Sequence, residues 1–354
     1  MRAVRMKAVL AAVAIGGLLV GCSSTDEGTK KGEGSRSNVI GASAGASEGA
    51  SEGPSAAPSA LAAGMGSDRD TDGTFPRTVT HFKGGTTLKT EPKRIAVLST
   101  GQLDDLLSLG LVPTATTRAD NAGLVPGYLA DAFPEDKAEL AGMTDAGTRQ
   151  APNLESLAAA KPDLILANDS LGDLYPKLSK IAPTVITAGN GINWKRDLLL
   201  VGAAVGKGQR AQELLDGIVA DARKQGAALG TGPTVSMVRF TPDRTRMFGV
   251  SSFTGSLAVD MGLDRPESQR FHAISEDIGP ESVDTADGDW IFYSVQGDAK
   301  RTDASSVLAG PLWKSMKAVR AGHAVKVDDD PWYLNAGPTA ARLVVRQLTE
   351  HIGE

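Results

Sequence analysis

Three overlapping Gly-x-Ser-x-Gly motifs form the pattern in which some hydrolases present a nucleophilic serine. They begin at Gly41, Gly45 and Gly49. Such a serine is reactive on a strained turn between a buried strand and a helix. Here the three copies lie in a low-complexity repeat of Gly, Ala, Ser and Glu. We therefore interpret them as part of a linker and expect no enzymatic activity, with a surface-anchored hydrolase as the alternative of a different class.

Other motifs that are typical of cofactor, metal or nucleic-acid binding lack the sequence context that such sites need. Gly206–Ala211 fits a loose dinucleotide fingerprint, but Leu198–Val205 before it is predicted as a helix, and no acidic residue lies near position 228. The scattered histidines, none of which forms a close zinc-binding pair, are His81, His272, His323 and His351. The net charge of −5 provides no basic face for nucleic acid. We expect no intrinsic cofactor, no protein-bound metal and no nucleic-acid partner.

Cys22 is the only cysteine of the chain, and the segment that precedes it explains why a single cysteine is present. A basic start, Met1–Lys7, precedes an apolar run, Ala8–Val20, which is typical of a secretory signal peptide. Leu19-Val20-Gly21-Cys22 then resembles the bacterial lipobox. The resemblance implies a signal peptide over residues 1–21, cleavage before Cys22, and lipidation of its thiol. We expect a protein that its lipid holds on the extracytoplasmic face of the cell membrane.

The chain after Cys22 predicts a flexible tether. Residues 23–73 consist mainly of Ser, Gly, Ala, Glu, Asp and Lys, with almost no aromatic or large aliphatic side chains. Such a composition buries too little apolar surface to offset chain entropy. We therefore expect a lipidated tether over residues 22–73 and a folded part from residue 74.

The folded part alternates strand and helix patterns. Apolar runs typical of buried strands are Arg94–Ser99, Asp163–Ala167, Thr184–Ala188, Thr234–Phe240, Trp290–Val295 and Ala324–Val327. Helical patterns lie between them, for example Gln102–Leu111 and the segment after the Asn153 cap. Alternation of this kind predicts an α/β fold with mainly parallel sheets covered on both faces.

One long helix is predicted near the middle of this region. From Gly208 to about Leu229, the apolar residues Ala211, Leu214, Leu215, Ile218, Val219 and Ala222 form one continuous stripe. Because α/β units lie on both sides of it, we interpret it as a connector that packs on two lobes. An ordinary crossover helix is the alternative.

Three groups of motifs resemble the bacterial periplasmic binding proteins for ferric hydroxamates and vitamin B12. The first is Arg149–Leu157, continued by Lys161–Leu166, and the second runs from Val238–Phe240 through Phe253–Leu257 to Asp260–Leu263. The third is formed by Pro311–Trp313, Val319–Gly322, Trp332-Tyr333 and Gly337. Their order and spacing along the chain carry the resemblance.

The resemblance implies a class III binding-protein fold. An N-terminal α/β lobe over 74–205 and a C-terminal lobe over 231–354 would be joined by a linking helix over 206–230. The ligand would lie in the cleft between the lobes and would be delivered to the permease of an ABC importer. The family's ligand-contacting arginine corresponds to Arg149, its aromatic wall to Trp332 and Tyr333, and its docking carboxylates to Glu155 and Glu281.

A ferric trihydroxamate fits these residue types. Its iron is fully coordinated, so the protein supplies donors for the metal-bound oxygens and apolar walls rather than a metal ligand. We expect Arg149 and Arg239 as donors, although Arg239 could instead form a salt bridge. The expected walls are Trp332, Tyr333, Phe240 and Phe253, although the two phenylalanines could equally fill the core. Trp194 and His272 lie on presumed cleft loops.

The ligand itself leaves alternatives open. A catecholate siderophore, heme or a corrinoid such as cobalamin would suit the same fold. Catecholate complexes carry more negative charge and need a denser basic pocket than Arg149 and Arg239 provide, which favours a hydroxamate siderophore. A lipoprotein that acts as a sensor or adhesin is a further alternative. We expect a monomer.

Overall fold

The structure, a computed structural model, describes residues 57–119, 122–230 and 232–353. The predicted signal peptide, Cys22 and the Gly-x-Ser-x-Gly repeats lie outside the described residues. The described part belongs to one compact unit. Within these ranges, no helix combines the length and the apolar character that a membrane span requires.

The strands and helices follow one another along most of the chain. The strands are β1 Gly66–Ser67, β2 Arg77–His81, β3 Gly84–Leu88, β4 Ile95–Val97, β5 Ala115–Arg118, β6 Thr144–Thr148, β7 Leu164–Asn168, β8 Thr184–Thr187, β9 Val235–Thr241, β10 Arg244–Phe248, β11 Ser275–Ile278, β12 Trp290–Val295 and β13 Ala324–Lys326. The helices are α1 Thr100–Ser108, α2 Gly127–Ala132, α3 Lys137–Ala141, α4 Leu154–Ala159, α5 Tyr175–Leu178, α6 Trp194–Val205, α7 Gly208–Ala228, α8 Phe253–Asp260, α9 Ala304–Ala309, α10 Pro311–Ser315, α11 Lys317–Ala321 and α12 Pro338–Ile352.

The N-terminal lobe is built on a parallel sheet with the strand order β6-β5-β4-β7-β8. Alternate residues of β4 enter the cores on its two faces, Ile95 and Val97 on one and Ala96 on the other. A strand buried on both faces must be apolar throughout, which is why these strands are visible in the sequence. The chain leaves β4 to build β5 on one side and later returns to add β7 on the other.

The C-terminal lobe has a mixed sheet with the order β11-β10-β9-β12-β13. Strands β9, β12 and β13 are parallel, and β10 and β11 are antiparallel to their neighbours. The six predicted strands correspond to β4, β7, β8, β9, β12 and β13, and are confirmed. The sequence did not indicate β10 and β11, because Arg244–Phe248 and Ser275–Ile278 contain polar residues that lie towards the edge of the sheet.

Residues 57–73, which we predicted as the end of the tether, belong instead to the folded part. Ala57 is buried in the main core, and β1 pairs with β2 in a small antiparallel sheet, β1-β2-β3. The carboxylate of Asp72 accepts the backbone N–H groups of Gln209 and Arg210 at 2.9 and 3.1 Å, in the first turn of α7. The predicted boundary is wrong because these small polar residues contribute pairing and capping bonds, which composition does not reveal.

Helix α7 confirms the predicted connector. Its buried residues are Ala211, Leu214, Leu215, Ile218, Ala222 and Gly226. It packs on α6 of the N-terminal lobe and on α8 and α12. A second connection joins α1 to α12, where the fully buried carboxylate of Asp104 accepts the N–H groups of Thr339 and Ala340 at 2.9 and 3.0 Å. A carboxylate at a helix N-terminus also complements the positive end of the helix dipole.

Close packing of α7 on the C-terminal lobe predicts a stability loss for Gly226→Ala. A Cβ atom at this position would lie 1.7 Å from the backbone carbonyl oxygen of Met261, which no side-chain rotation can relieve. We expect the free energy of unfolding, measured by urea denaturation, to fall by about 1–3 kcal/mol. The control is Gly217→Ala in the same helix, where a Cβ meets nothing within 4 Å. It should gain about 0.5–1 kcal/mol from helix propensity. Equal changes in the two variants would contradict the close packing.

Candidate functional site

A recess between the two lobes lies at the carboxyl ends of the N-terminal strands. Its volume is about 170 Å³, and the N-terminal lobe lines it with Ser99 after β4, Arg149 after β6 and Asn168 at the end of β7. The C-terminal lobe contributes Phe253, at the start of α8, and residues 332–336. In open α/β sheets, ligands bind at the point where the strand order reverses. This point lies at β4, between β5 and β7, and the recess is next to it.

A wider cavity, which we term the outer cleft, adjoins the recess. Its volume is about 680 Å³, and residues 122–127 of the N-terminal lobe face residues 295–298 and 326–330 of the C-terminal lobe across it. Leu334 and Asn335 line both cavities. The two cavities therefore share part of their lining, and we term them together the inter-lobe site.

Four of the predicted site residues meet at the recess: Arg149, Phe253, Trp332 and Tyr333. Arg149 is half-buried and close to Asp330. Burial, followed by the charges of Asp328 and Asp329, raises the pKa of Asp330, and the charge of Arg149 acts against that rise. Arg149 thus lines the recess, and its charge also acts on the acidic segment of the outer cleft. Contact of these residues with a ligand stays a prediction.

The two adjacent aromatic residues are held rigidly. The Trp332 ring is fully buried and stacks on Phe292 with centroids 5.0 Å apart, and its Nε1 donates to Gln347 Oε1 at 2.6 Å. The Tyr333 hydroxyl donates to the carbonyl oxygen of Phe292 at 2.7 Å, and its ring lies 4.8 Å from that of Phe248. Trp332 therefore supports the wall from behind, whereas the half-buried Tyr333 is better placed to form its surface.

Arg239 and Phe240 are placed differently from our expectation. Arg239 forms a bidentate pair with Asp329, at 2.7 and 2.6 Å, so the salt-bridge alternative describes its contacts. Phe240 is fully buried, with its ring centroid 6.2 Å from those of Tyr293 and Trp313. Successive residues of a strand point to opposite faces, so Phe240 points away from the side of Arg239. Its assignment as a ligand wall is corrected, because it belongs to the core of the C-terminal lobe.

Trp194 and His272, which we predicted on cleft loops, lie at different places relative to the recess. Trp194 lines the recess, and its Nε1 donates to Ser256 Oγ at 3.1 Å across the lobe boundary. Its ring meets that of Phe253 edge to face at 5.3 Å. His272 is exposed and lies with its Nδ1 3.3 Å from Ser251 Oγ, outside the lining of the recess and the outer cleft.

Sequence reasoning missed a set of buried polar side chains in the recess: Gln102, Asp105, Asp197 and Asn335. Burial, followed by the charges of Asp104 and Asp197, raises the pKa of Asp105 well above its ordinary value. Burial also raises the pKa of Asp197 to about 7, although its carboxylate accepts the N–H groups of Ala188 and Gly189. Two polar positions, Gln102 and Asp105, on a helix that follows a central strand were the available signal, but a local pattern does not show which polar side chains become buried.

Glu155 and Glu281 are exposed, one in each lobe. Glu155 lies in the first turn of α4, where Asn153 Oδ1 accepts its N–H at 3.0 Å. Glu281 lies in the 3₁₀ segment Pro280–Ala286. Both carboxylates are accessible to a partner. Across the described residues, no group of three or more His, Cys, Asp or Glu is arranged to hold a metal ion.

Comparison with known proteins agrees with this architecture. The model of the family described as periplasmic binding protein matches residues 95–331. YfiY of Bacillus subtilis (strain 168), a probable siderophore-binding lipoprotein, is 32% identical over 300 residues, which cover 80% of this chain and 89% of that protein. The Fe(3+) dicitrate-binding periplasmic protein FecB of Escherichia coli (strain K12) is 26% identical and covers 76% of this chain and 88% of its own length.

A solved structure shares the two-lobed arrangement. The crystal structure of Staphylococcus aureus SirA complexed with staphyloferrin B is 28% identical, with a TM-score of 0.68, and the match covers 78% of this chain and 98% of that chain. Two α/β lobes joined by one long helix are the predicted class III architecture. The matched family model covers residues from both lobes, from β4 to Pro331. This chain belongs to the periplasmic binding protein family.

Proposed function

We propose that this protein is the extracytoplasmic substrate-binding lipoprotein of an ABC importer and that its ligand is a ferric siderophore. The observation that carries the proposal is the inter-lobe site at the switch in strand order, with Arg149 and aromatic side chains in its lining. The relatives reported above are named for binding a siderophore, ferric dicitrate or staphyloferrin B. A chelated iron needs donors for its ligand oxygens and no metal ligand from the protein, which suits these residues.

The charge of the site favours a hydroxamate siderophore. Among the described residues, Arg149 is the basic side chain of the recess, and Arg301 and Lys326 are those of the outer cleft. Asp298 and the segment Asp328–Asp330 line the same outer cleft. A ferric trihydroxamate is neutral at its metal centre, whereas a ferric tris-catecholate is strongly anionic and would meet these carboxylates. Heme, cobalamin and catecholate siderophores are the competing ligands.

A fluorescence titration of the soluble protein tests the ligand and the role of Arg149. Trp194 and Trp332 line the recess, so a ferric trihydroxamate is expected to quench their emission. Replacing Arg149 by alanine should weaken binding by about 1.5–3 kcal/mol, the range for hydrogen bonds to charged groups. Arg69→Ala, an exposed arginine in the segment before β2, is the control and should leave the affinity unchanged. If Arg149→Ala binds the ferric trihydroxamate with the wild-type affinity, this side chain does not contact the ligand. If the wild-type protein binds heme or cobalamin more tightly than the ferric trihydroxamate, the siderophore assignment is overturned.

Docking on the permease through Glu155 and Glu281 predicts a separate defect. Reversing both charges, Glu155→Lys with Glu281→Lys, should place like charges against basic residues of the permease. Uptake of the ferric siderophore by cells is expected to fall by about 10-fold or more, with binding by the purified protein retained. The matched control reverses one exposed glutamate in each lobe elsewhere, Glu139→Lys with Glu276→Lys. Normal uptake in the first double variant would exclude the docking role.

Delivery of the ligand at the membrane requires the anchor that the sequence predicts. We propose that Cys22 carries it, because the lipobox-like segment and the absence of a second cysteine both favour lipidation. The relative YfiY is itself named a lipoprotein.

A further inference from the structure

Four residues in the lining of the recess have a buried side-chain oxygen with no hydrogen-bond partner among the described residues. One is the Thr254 hydroxyl, and the other three are carbonyl or carboxylate oxygens: Gln102 Oε1, Asp105 Oδ1 and Asn335 Oδ1, in residues that are 3%, 3% and 2% exposed. All three residues line the recess. A buried acceptor without a partner costs about 1–3 kcal/mol, so three in one small space are expensive to maintain without a function.

Hydrogen bonds fix the orientation of the Gln102 acceptor. The Gln102 Nε2 group donates to the carbonyl oxygen of Ala167 at 3.1 Å and to Thr187 Oγ1 at 3.2 Å, which leaves Oε1 as the side-chain atom without a partner. Asp105 has the carboxylates of Asp104 and Asp197 as its charged neighbours. Both neighbours are engaged by backbone N–H groups, Asp104 at α12 and Asp197 at Ala188 and Gly189.

The size of the recess indicates what part of a ligand it takes. Pockets that enclose a whole drug-sized ligand have volumes of about 300–1,000 Å³. The outer cleft, at about 680 Å³, falls in this range, whereas the recess, at about 170 Å³, does not. Because Asn335 lines both cavities, a chelate in the outer cleft could extend one arm into the recess.

The lining of the recess is complementary to a cation with several N–H groups. An ammonium group has three donors and no acceptor. An ammonium group in the recess would meet the three unpartnered oxygens of Gln102, Asp105 and Asn335, one of which belongs to a carboxylate. Arg149 also lines the recess, and its charge acts on Asp330 as well. An ammonium beside Asp105 would favour the ionised form of this carboxyl and so offset its burial.

We propose, resting on the proposed function, that the siderophore carries a protonated primary amine outside its iron chelate, and that Gln102, Asp105 and Asn335 bind this ammonium in the recess. The chelate itself occupies the outer cleft and extends to Arg149 in the lining of the recess, which donates to the iron-bound oxygens. The recess thereby distinguishes ferric siderophores by a group that is remote from the metal.

Two forms of one ligand test this inference. A linear ferric trihydroxamate that ends in a primary amine is compared, by calorimetric titration, with the same complex after N-acetylation of that amine. The folded protein without its lipid anchor is expected to bind the free-amine form about 10- to 100-fold more tightly than the acetylated form. In Asp105→Asn, the ratio of the two affinities should fall to near one. The control Asp131→Asn, an exposed acid on α2, should keep the wild-type ratio.

The outcomes separate the two proposals. Equal affinities of the two forms for the wild-type protein would overturn the amine subsite and leave the siderophore function in place. A preference that survives in Asp105→Asn would also overturn it. Binding of neither form would overturn the hydroxamate function on which the subsite rests. Because the wild-type comparison needs no substitution, a folding defect in Asp105→Asn would not leave the inference untested.

Discussion

Replacing Asp329 by alanine is expected to lower the free energy of unfolding by about 3–5 kcal/mol, because it leaves a buried cation without its partner. The Arg239 guanidinium donates through Nε and Nη2 to the two carboxylate oxygens of Asp329, and the side chains are 8% and 14% exposed. The hydroxyl of Ser294, which is fully buried, donates to Asp329 Oδ1 at 2.6 Å and would lose its acceptor as well.

Urea denaturation measures this loss, and two further variants define its origin. Asp328→Ala, at the exposed neighbouring position, should stay within about 0.5 kcal/mol of the wild type. The double variant Arg239→Met with Asp329→Leu should recover most of the loss, since an apolar pair of similar volume replaces a buried ion pair at little cost. A decrease below about 1 kcal/mol for Asp329→Ala would mean that Arg239 reaches solvent and that its charge is available to a ligand.

Replacing Asp260 by alanine is expected to have a similar effect, about 3–5 kcal/mol, at the boundary between the lobes. Lys195 in α6 donates through Nζ to Asp260 Oδ2 in α8 at 2.6 Å, and the side chains are 2% and 10% exposed. The adjacent hydrogen bond from Trp194 to Ser256 crosses the same boundary. We therefore expect hydrogen exchange to accelerate in α6 and α8 as well as a loss of global stability.

An exposed ion pair with similar geometry provides the control. Lys93 and Glu91 approach to 2.5 Å, but their side chains are 70% and 45% exposed. Glu91→Ala should therefore change stability by about 0–1 kcal/mol. Similar losses for Glu91→Ala and Asp260→Ala would contradict the argument, because burial is the feature that distinguishes the two pairs.

These inter-lobe contacts bear on how the site opens. Helix α7, the Asp104 bonds to α12 and the Lys195–Asp260 pair connect the lobes at three places. A cleft held in this way is formed before the ligand arrives, which reduces the entropy that binding must overcome. We expect ligand specificity to depend on the lining of the recess and the outer cleft more than on a large closure.

The sequence indicated those parts of the fold whose pattern is local. Strand β12 was predicted with its observed bounds, because Trp290–Val295 lies between polar segments and is apolar except for Ser294. Helix α7 was predicted because burial of one face imposes a period of 3.6 residues on the chain itself. The short strands β2 and β3 carried no such signal, because most of their buried residues, Arg77, His81 and Thr86, are polar.

Which side chains line the site depended on the tertiary structure. Arg239 and Asp329 are separated by 90 residues, so no local pattern could show that the aspartate takes both donors of the arginine. Phe240 and Arg239 are neighbours in the chain but point to opposite faces of β9, one into the core and one to the ion pair. Gln102 and Asp105 lie in the predicted helix Gln102–Leu111, but no local pattern shows that both are buried at the recess.

The sequence by itself therefore determined the class of fold and the long central helix, because burying a sheet or a helix face repeats the same apolar spacing along the chain. Only the tertiary structure decided which polar groups enter the inter-lobe site. Their surroundings come from β4, β7, α8 and the segment after β13, which are remote in sequence. Whether a polar side chain is solvated, paired or left to a ligand is a property of those surroundings and not of its neighbours along the chain.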